Sequence, residues 1–293
     1  MAALKRSSSL SKYLDTRKAP TRLVGPLERH LLTRPVDTSR RQDVIHPSAL
    51  CKADFCVRAS YFVMTGHGVP EPTPGLRLQS IFDEGHSIHH KWQSWLRDMG
   101  VLYGRWQCME CDLVTKDMAL YPGACGVCGS ANLRYAEVAL VDAELMIEGK
   151  ADGWIKGLGA DCMIEIKSIG PGTIRMEAPG LMKDTDLAGA WRNIRRPFPT
   201  HVRQGLLYLE LARRMEKAGL IDVAPTEIVF LYELKMDQAY KEFTLKADPA
   251  VVKDMLDLAY DVAAAVRKGT APRCSNMTTG PCKSCKPYGE EAA

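Results

Sequence analysis

The sequence predicts a mixed α/β sandwich, a sheet flanked by helices. Apolar runs rich in Val, Ile and Met occur at 133–141, 144–148, 151–156 and 161–168. Two more, "EIVFLYEL" (227–234) and "AYKEFTL" (239–245), come later in the chain. Helical apolar spacing brackets these strands at 78–100, 200–218 and 249–268. Strands alternating with helices build a layered α/β domain, and 293 residues provide ample core for it. Residues 105–132, rich in Cys and Gly, stand apart as a separate small module.

Composition is that of an ordinary globular protein, with 46% hydrophobic and 25% charged residues. No run of 18 apolar residues is present, so no membrane span is expected. Charge is uneven. Residues 1–41 hold ten Lys or Arg against three Asp or Glu, so the net +4 conceals a basic start and a mildly acidic remainder. Residues 1–45 read as a basic arm with at most one short helix, because they lack an apolar period and contain Pro20, Pro26 and Pro35. Such an arm either touches nucleic acid or is simply solvated. "MAALKRSSSLSKYL" lacks the apolar core of a secretory signal. The expectation is a cytoplasmic protein, with an organelle transit peptide as the alternative reading of that Ser-rich, basic start.

The elements follow in order. In "HPSALCKADFCVRASYFVM", Ser48 reads as a helix N-cap. "LQSIFDEGHSIHHKWQSWLRDMG" places Ile81, Gly85, Ile88, Trp92, Trp95 and Met99 on one helical face. Residues 46–104 thus form N-terminal helices, 133–270 the main core, and 271–293 a Cys- and Pro-containing tail.

Ten cysteines are many for this length, and their spacing does not suggest a secreted disulfide framework. "CMEC" and "CGVC" supply Cys108, Cys111, Cys125 and Cys128, with thirteen residues between the pairs. Four thiolates so spaced fit tetrahedral Zn²⁺, as in an inserted zinc ribbon in a reducing compartment. A looser C-x7-C-x2-C group, Cys274, Cys282 and Cys285, lies near the other end. Cys162 reads as a buried core thiol.

The stretch "KADGWIKGLGADCMIEIKS" (150–168) carries the chemistry. With residues 157–160 as a hairpin loop, Lys156 pairs with Asp161 and Asp152 falls opposite Glu165. Opposed side chains have Cβ atoms about 5 Å apart, and like charges there repel. Two carboxylates so held call for a cation, and hard Mg²⁺ or Mn²⁺ suits oxygen ligands. Lys167 shares that face, because strand side chains alternate. The set suits phosphodiester hydrolysis, with a surface hairpin carrying an Asp–Lys ion pair as the plainer alternative. Relief of the like-charge pair leads to the expectation that Asp152→Ala raises stability without metal.

Asp152 followed by Glu165-Ile166-Lys167 resembles the PD-(D/E)XK nuclease signature, although Ala151 stands where a proline is usual. "FDEGHSIHHKW" is similar to the GxxxH element of RecB-like nucleases, "HVRQGLLYLEL" to their QxxxY element, and "FCVRASYF" to their cysteine–arginine element. The resemblance covers residues 46–287 and points to the CRISPR-associated and phage-encoded iron–sulfur exonucleases within that superfamily. It implies a restriction-endonuclease-like fold with an inserted zinc ribbon and a terminal metal-cluster staple. It implies a metal-dependent DNA exonuclease of DNA ends or single strands in a bacterial host or phage-infected cell. It implies His89, Asp152 and Glu165 as Mg²⁺ or Mn²⁺ ligands, with His86 and His90 as rivals of His89. Lys167, Gln204 and Tyr208 complete the catalytic set, while Arg58 and Lys235 acquire DNA-contact roles. It also implies a [4Fe–4S] cluster on Cys56, Cys274, Cys282 and Cys285, with Cys51 as a rival ligand and a second zinc as the alternative. A prespacer-processing CRISPR endonuclease and an inactive DNA-binding or assembly module remain the alternatives. A homo-oligomer and recombination or CRISPR proteins are the partners left open.

Overall fold

The computed structural model describes residues 22–35, 40–69, 72–183, 185–276 and 282–288. Of the expected basic arm, residues 1–21 and 36–39 lie outside the described residues, as does the tail beyond Tyr288. Two compact units are present. The smaller contains helix α1 (Val24–Leu32), the short helix expected within the arm. The chain enters the larger unit at Arg40, earlier than the expected boundary, and Ile45 forms a buried parallel bridge with Ile147.

The expected helix from Ser48 begins instead at Pro47, with His46 as its cap, and α2 (Pro47–Leu50) ends after one turn. Proline suits the first helical position, since its missing N–H would be unpaired there anyway. A second start gives α3 (Val57–Phe62), which runs into a wider turn, Val63–His67. Helix α4 (Leu76–Asp98) matches the long periodic segment. Ile88 on its expected apolar face is buried, whereas Trp95 and Met99 stay about half exposed.

Among the described residues, nine strands follow the helical N-terminal part: β1 (Leu102–Tyr103), β2 (Arg105–Cys108), β3 (Leu133–Ala136), β4 (Val138–Asp142), β5 (Ile147–Ala151), β6 (Gly153–Ile155), β7 (Cys162–Ile169), β8 (Glu227–Leu234) and β9 (Tyr240–Lys246). The central sheet has the order β1-β6-β7-β8-β9, antiparallel throughout except for the parallel pair β7–β8. That parallel step requires a long crossover. It is made by α5 (Pro171–Glu177), α6 (Leu187–Asn193) and α7 (Pro199–Lys217), of which only α7 has a clear sequence period. Helix α8 (Pro249–Lys268) ends at Gly269, in the left-handed conformation that stops helices. The apolar run expected as a strand at 144–148 is displaced to β5 by a turn. Asp142 Oδ1 accepts the Leu145 N–H there, and Met146 takes a positive φ of 54°.

Alternation along β7 and β8 divides the core between the two faces of the sheet. Met163, Phe230 and Tyr232 pack with Leu207, Leu211, Met255 and Val262 of α7 and α8. Ile164, Ile166 and Leu231 pack with Ile88, Trp92 and Leu96 of α4. The result is a mixed α/β structure with a central sheet flanked by helices. Strands β2 and β3, in the segment expected as a ribbon, pair outside this sheet, while β1, just before it, joins the sheet.

Helix α7 approaches β8 closely at Gly205, where an added Cβ would stand 2.4 Å from Phe230 Cζ and 3.0 Å from Ile228 Cδ1. Ring and backbone cannot both remain in place. Gly205→Ala is therefore expected to destabilise the protein by about 1–3 kcal/mol despite alanine's better helix propensity. Urea denaturation of the two proteins checks this, and an unchanged midpoint would contradict the close packing.

Candidate functional site

The β6–β7 hairpin sets the site. Gly157 and Gly159 take positive φ values of 88° and 93° in its loop, a conformation open to glycine at little cost. Gly153 pairs with Ile164, Trp154 with Met163 and Ile155 with Cys162, and one further step of that register puts Asp152 opposite Glu165. At the loop end, Lys156 Nζ lies 3.5 Å from an Asp161 carboxylate oxygen, as the hairpin reading requires.

The carboxylates are held differently. Asp152 Oδ2 accepts the Ile166 N–H at 2.7 Å, and its Oδ1 lies 3.2 Å from His89 Nδ1. Glu165 is 2% exposed; its Oε1 accepts from Lys167 Nζ at 2.7 Å, and its Oε2 is buried without a partner. Lys167 also donates to Gln204 Oε1 at 3.0 Å, and Gln204 donates to the Tyr208 hydroxyl at 2.9 Å. Gln204 and Tyr208 lie one turn apart on α7, so they share a face. The structure thus brings these residues together in two hydrogen-bonded sets, His89 with Asp152 and Glu165–Lys167–Gln204–Tyr208, set side by side by the hairpin register. Of the neighbouring histidines, His90 pairs with Arg134 instead.

Burial, reinforced by the Asp152 charge, pushes the Glu165 carboxyl up to about 7. Burial alone would lower the Lys167 ammonium, but Glu165 and Asp152 outweigh it and the net shift is upward. His89 behaves likewise: burial pulls its imidazole down, and Asp152 raises it further than that. Crowded carboxylates thus favour the charged forms of Lys167 and His89 and the protonated form of Glu165.

One residue of the cluster has no sequence signal. Glu137, in the single-residue break between β3 and β4, has a carboxylate oxygen within 4.8 Å of ligand atoms of His89 and Asp152. Gln93, buried one turn along α4 from His89, donates to the Asp152 carbonyl at 2.8 Å and to Glu137 at 3.4 Å. Desolvation, followed by the Asp152 charge, raises the Glu137 carboxyl. The β4–β5 register, in which Val138 pairs with Ala151, carries Glu137 opposite Asp152 at the next step.

The two residues expected at DNA are engaged within the protein. Arg58 is buried, donates to the Pro272 carbonyl at 3.2 Å and stacks over Phe62. Lys235 lies 3.4 Å from Glu84.

The cysteines form two cages. In the ribbon, Cys108 and Cys128 sulfurs are 3.5 Å apart and those of Cys111 and Cys125 3.7 Å. Backbone N–H groups of Cys128 and Val127 draw the Cys125 thiol down to about 6, which favours a thiolate. In the second cage Cys56 and Cys274 are 3.7 Å apart, and Cys282 and Cys285 3.6 Å. Cys51 lies elsewhere, with its sulfur 3.6 Å from that of Met255. A tetrahedron with metal–sulfur bonds of about 2.3 Å has an edge of about 3.8 Å, so the donors of both cages fit a metal.

No family model matches the chain, and no curated relative does. Among solved structures, the crystal structure of SSO0001 aligns over 85% of this chain and 86% of its own, at 13% identity and a TM-score of 0.35. The alkaline exonuclease LHK-Exo from Laribacter hongkongensis aligns over 78% and 90%, at 12% identity and a TM-score of 0.40. LHK-Exo in complex with dAMP gives 13% identity and a TM-score of 0.38 over the same shares. Likeness of this size is too coarse to carry an argument about function.

The hydrogen bonds change one expectation. Removing the Asp152 carboxylate relieves repulsion but orphans the buried Ile166 N–H, at a cost of about 1–3 kcal/mol. Asp152→Asn, which keeps an acceptor, is expected to raise the melting temperature in chelator, whereas Asp152→Ala is not. Glu165 adds a pH dependence. Its carboxyl is ordinarily near 4.5 and is raised to about 7, so the folded state binds the proton more tightly than the unfolded chain does. The stability it contributes is complete below 4.5 and is lost as pH rises through about 7. Metal-free melts across that range should show the decline, and Glu165→Gln should flatten it.

The cages lead to a second expectation. Cys111→Ser should lower zinc by about one ion per chain while sparing the hairpin, and elemental analysis reads this directly. Cys56→Ser should instead reduce the stability of the larger unit, because its cage joins segments 218 residues apart. Cys51→Ser should leave metal content unchanged.

Proposed function

We propose that the protein is a metal-dependent DNA nuclease on a restriction-endonuclease-like, RecB-type PD-(D/E)XK core, acting as an exonuclease on ends or single strands. The observation that carries this reading is the buried pair Asp152 and Glu165, with Lys167 beside it and one Glu165 oxygen left unpartnered. An unpaired buried carboxylate oxygen is costly, and a ligand removes that cost. His89, Asp152 and Glu165 would hold Mg²⁺ or Mn²⁺, with Glu137 as a further oxygen donor. A divalent ion there would polarise the phosphate and activate water.

The chain's own groups do the rest. Lys167, fixed between Glu165 and Gln204, offers its ammonium to charge developing on the phosphate. Gln204 takes its orientation from Tyr208, which stays a neutral phenol because burial raises its pKa, as does Glu165. Gln93 steadies the Asp152 backbone and the Glu137 side chain from α4.

Cys108, Cys111, Cys125 and Cys128 would hold Zn²⁺, and the second cage a [4Fe–4S] staple. A second zinc is favoured by one observation, the 3.6 and 3.7 Å sulfur separations, which match the edge of a single tetrahedral ion. Iron–sulfur ligation gives a brown protein when purified without oxygen; a colourless one with two zincs per chain decides for zinc. Among the described residues, no helix is long and apolar enough to cross a membrane.

End-labelled single-stranded DNA, incubated with Mg²⁺, Mn²⁺ or chelator, tests the activity. Glu165→Ala and Lys167→Ala are each expected to lower the rate at least about 100-fold with the fold intact. Glu137→Gln is expected to raise the metal requirement about 10-fold or more. Near-parental cleavage by Glu165→Ala would overturn the assignment.

A further inference from the structure

One half-buried polar group at the site, His201, has no role in the chemistry above. His201 precedes Gln204 by three residues on α7, so the two share a helix face. Beneath them, Lys167 and Tyr232 are direct partners across the parallel β7–β8 pair. Gln204 sits on Lys167 and His201 on Tyr232, with His201 Nδ1 and the Tyr232 oxygen 2.5 Å apart.

The protons on this pair can be assigned. The Phe198 backbone N–H donates to the Tyr232 oxygen at 2.8 Å. A backbone amide can only donate, so the Tyr232 oxygen accepts there; its own buried proton meets no other acceptor among the described residues and is therefore directed to His201 Nδ1. His201 is then the tautomer with its hydrogen on Nε2, on the far side of the ring from Tyr232. Burial, followed by the Lys167 charge, lowers the imidazole pKa to about 3, so a second proton is not taken up near neutrality. Among the described residues no protein acceptor faces Nε2, and this atom is not among those sealed from solvent. A fixed donor is thus left available beside the ammonium of Lys167.

We propose that the His201 Nε2–H is a substrate-binding group that donates to a non-bridging phosphate oxygen of the strand held at Lys167. Tyr232 and the Phe198 amide are its positioning residues, since they fix which nitrogen donates. The assignment rests on the nuclease reading for the identity of the phosphate, and on the hydrogen-bond chain for the donor. A neutral donor adds direction without adding charge to a site already holding Lys167 and His89. It would also leave the pH profile of cleavage to other groups.

The test uses the full-length protein and a fluorescein-labelled oligothymidylate in Ca²⁺, with cleavage in Mg²⁺ measured in parallel. His201→Ala is expected to weaken binding about 10- to 100-fold, the effect of losing one hydrogen bond to a charged group. His201→Gln, which can present an amide N–H at similar reach, should recover most of that loss. Histidine ¹⁵N spectra should show the Nε2–H tautomer in the free protein and a shift of its proton on oligonucleotide binding. Tyr232→Phe should mix the tautomers. A folded His201→Ala protein that binds and cleaves like the parent, or an Nε2 resonance unmoved by oligonucleotide, overturns the proposal while leaving the nuclease reading intact. A parent protein that neither binds nor cleaves overturns both.

Discussion

Two carboxylates face each other across β6 and β7, and the surrounding structure serves to contain their repulsion. At about 5 Å and an effective dielectric near 20, the repulsion is about 3 kcal/mol, more than a typical hydrogen bond returns. The neighbouring elements therefore contribute countercharge and donors. Helix α4 supplies His89, β7 supplies Lys167 and the Ile166 amide, and α7 braces Lys167 through Gln204. The parallel step from β7 to β8 has a related role: its crossover brings α7 across the face that carries Glu165 and Lys167.

The parts legible in the sequence were those with short-range physical rules. The hairpin register followed from two glycines in the loop and from a Lys156–Asp161 pair at its end, both of which act over a few residues. Helices α7 and α8 have long apolar periods, and α8 begins at Pro249 and stops at Gly269 as proline and glycine dictate. The gathering of the cysteine pairs was legible because closely spaced CxxC pairs can share one small cage only at restricted separations.

What was missed depends on long-range placement. Glu137 sits in a one-residue break between two strands with no pattern around it, and it reaches Asp152 and His89 through a β4–β5 register that the displaced turn at 142–146 conceals in the sequence. Strand β1 is two residues long, too short for a period, yet it forms an edge of the central sheet. Helices α5 and α6 are seven residues each, and packing rather than propensity holds them. Arg58 carried an electrostatic expectation, but a charged side chain can be taken up by a backbone carbonyl and a ring, and sequence does not distinguish that outcome.

The cage on Cys56, Cys274, Cys282 and Cys285 has a consequence for biosynthesis. Its first ligand emerges from the ribosome 218 residues before its nearest partner, and the last arrives later still. At synthesis rates of about 5–20 residues per second, the Cys56 thiol waits tens of seconds or less without its cage, while the ribbon's four ligands appear almost together. Were both cages to hold metal, loading would have a built-in order, Cys108–Cys128 first and the Cys56 cage last. An oxidant or competing metal reaching the nascent chain during that interval meets Cys56 while its partners are still absent. Supply of the staple's metal at the end of translation, rather than its final affinity, would then limit how much chain matures.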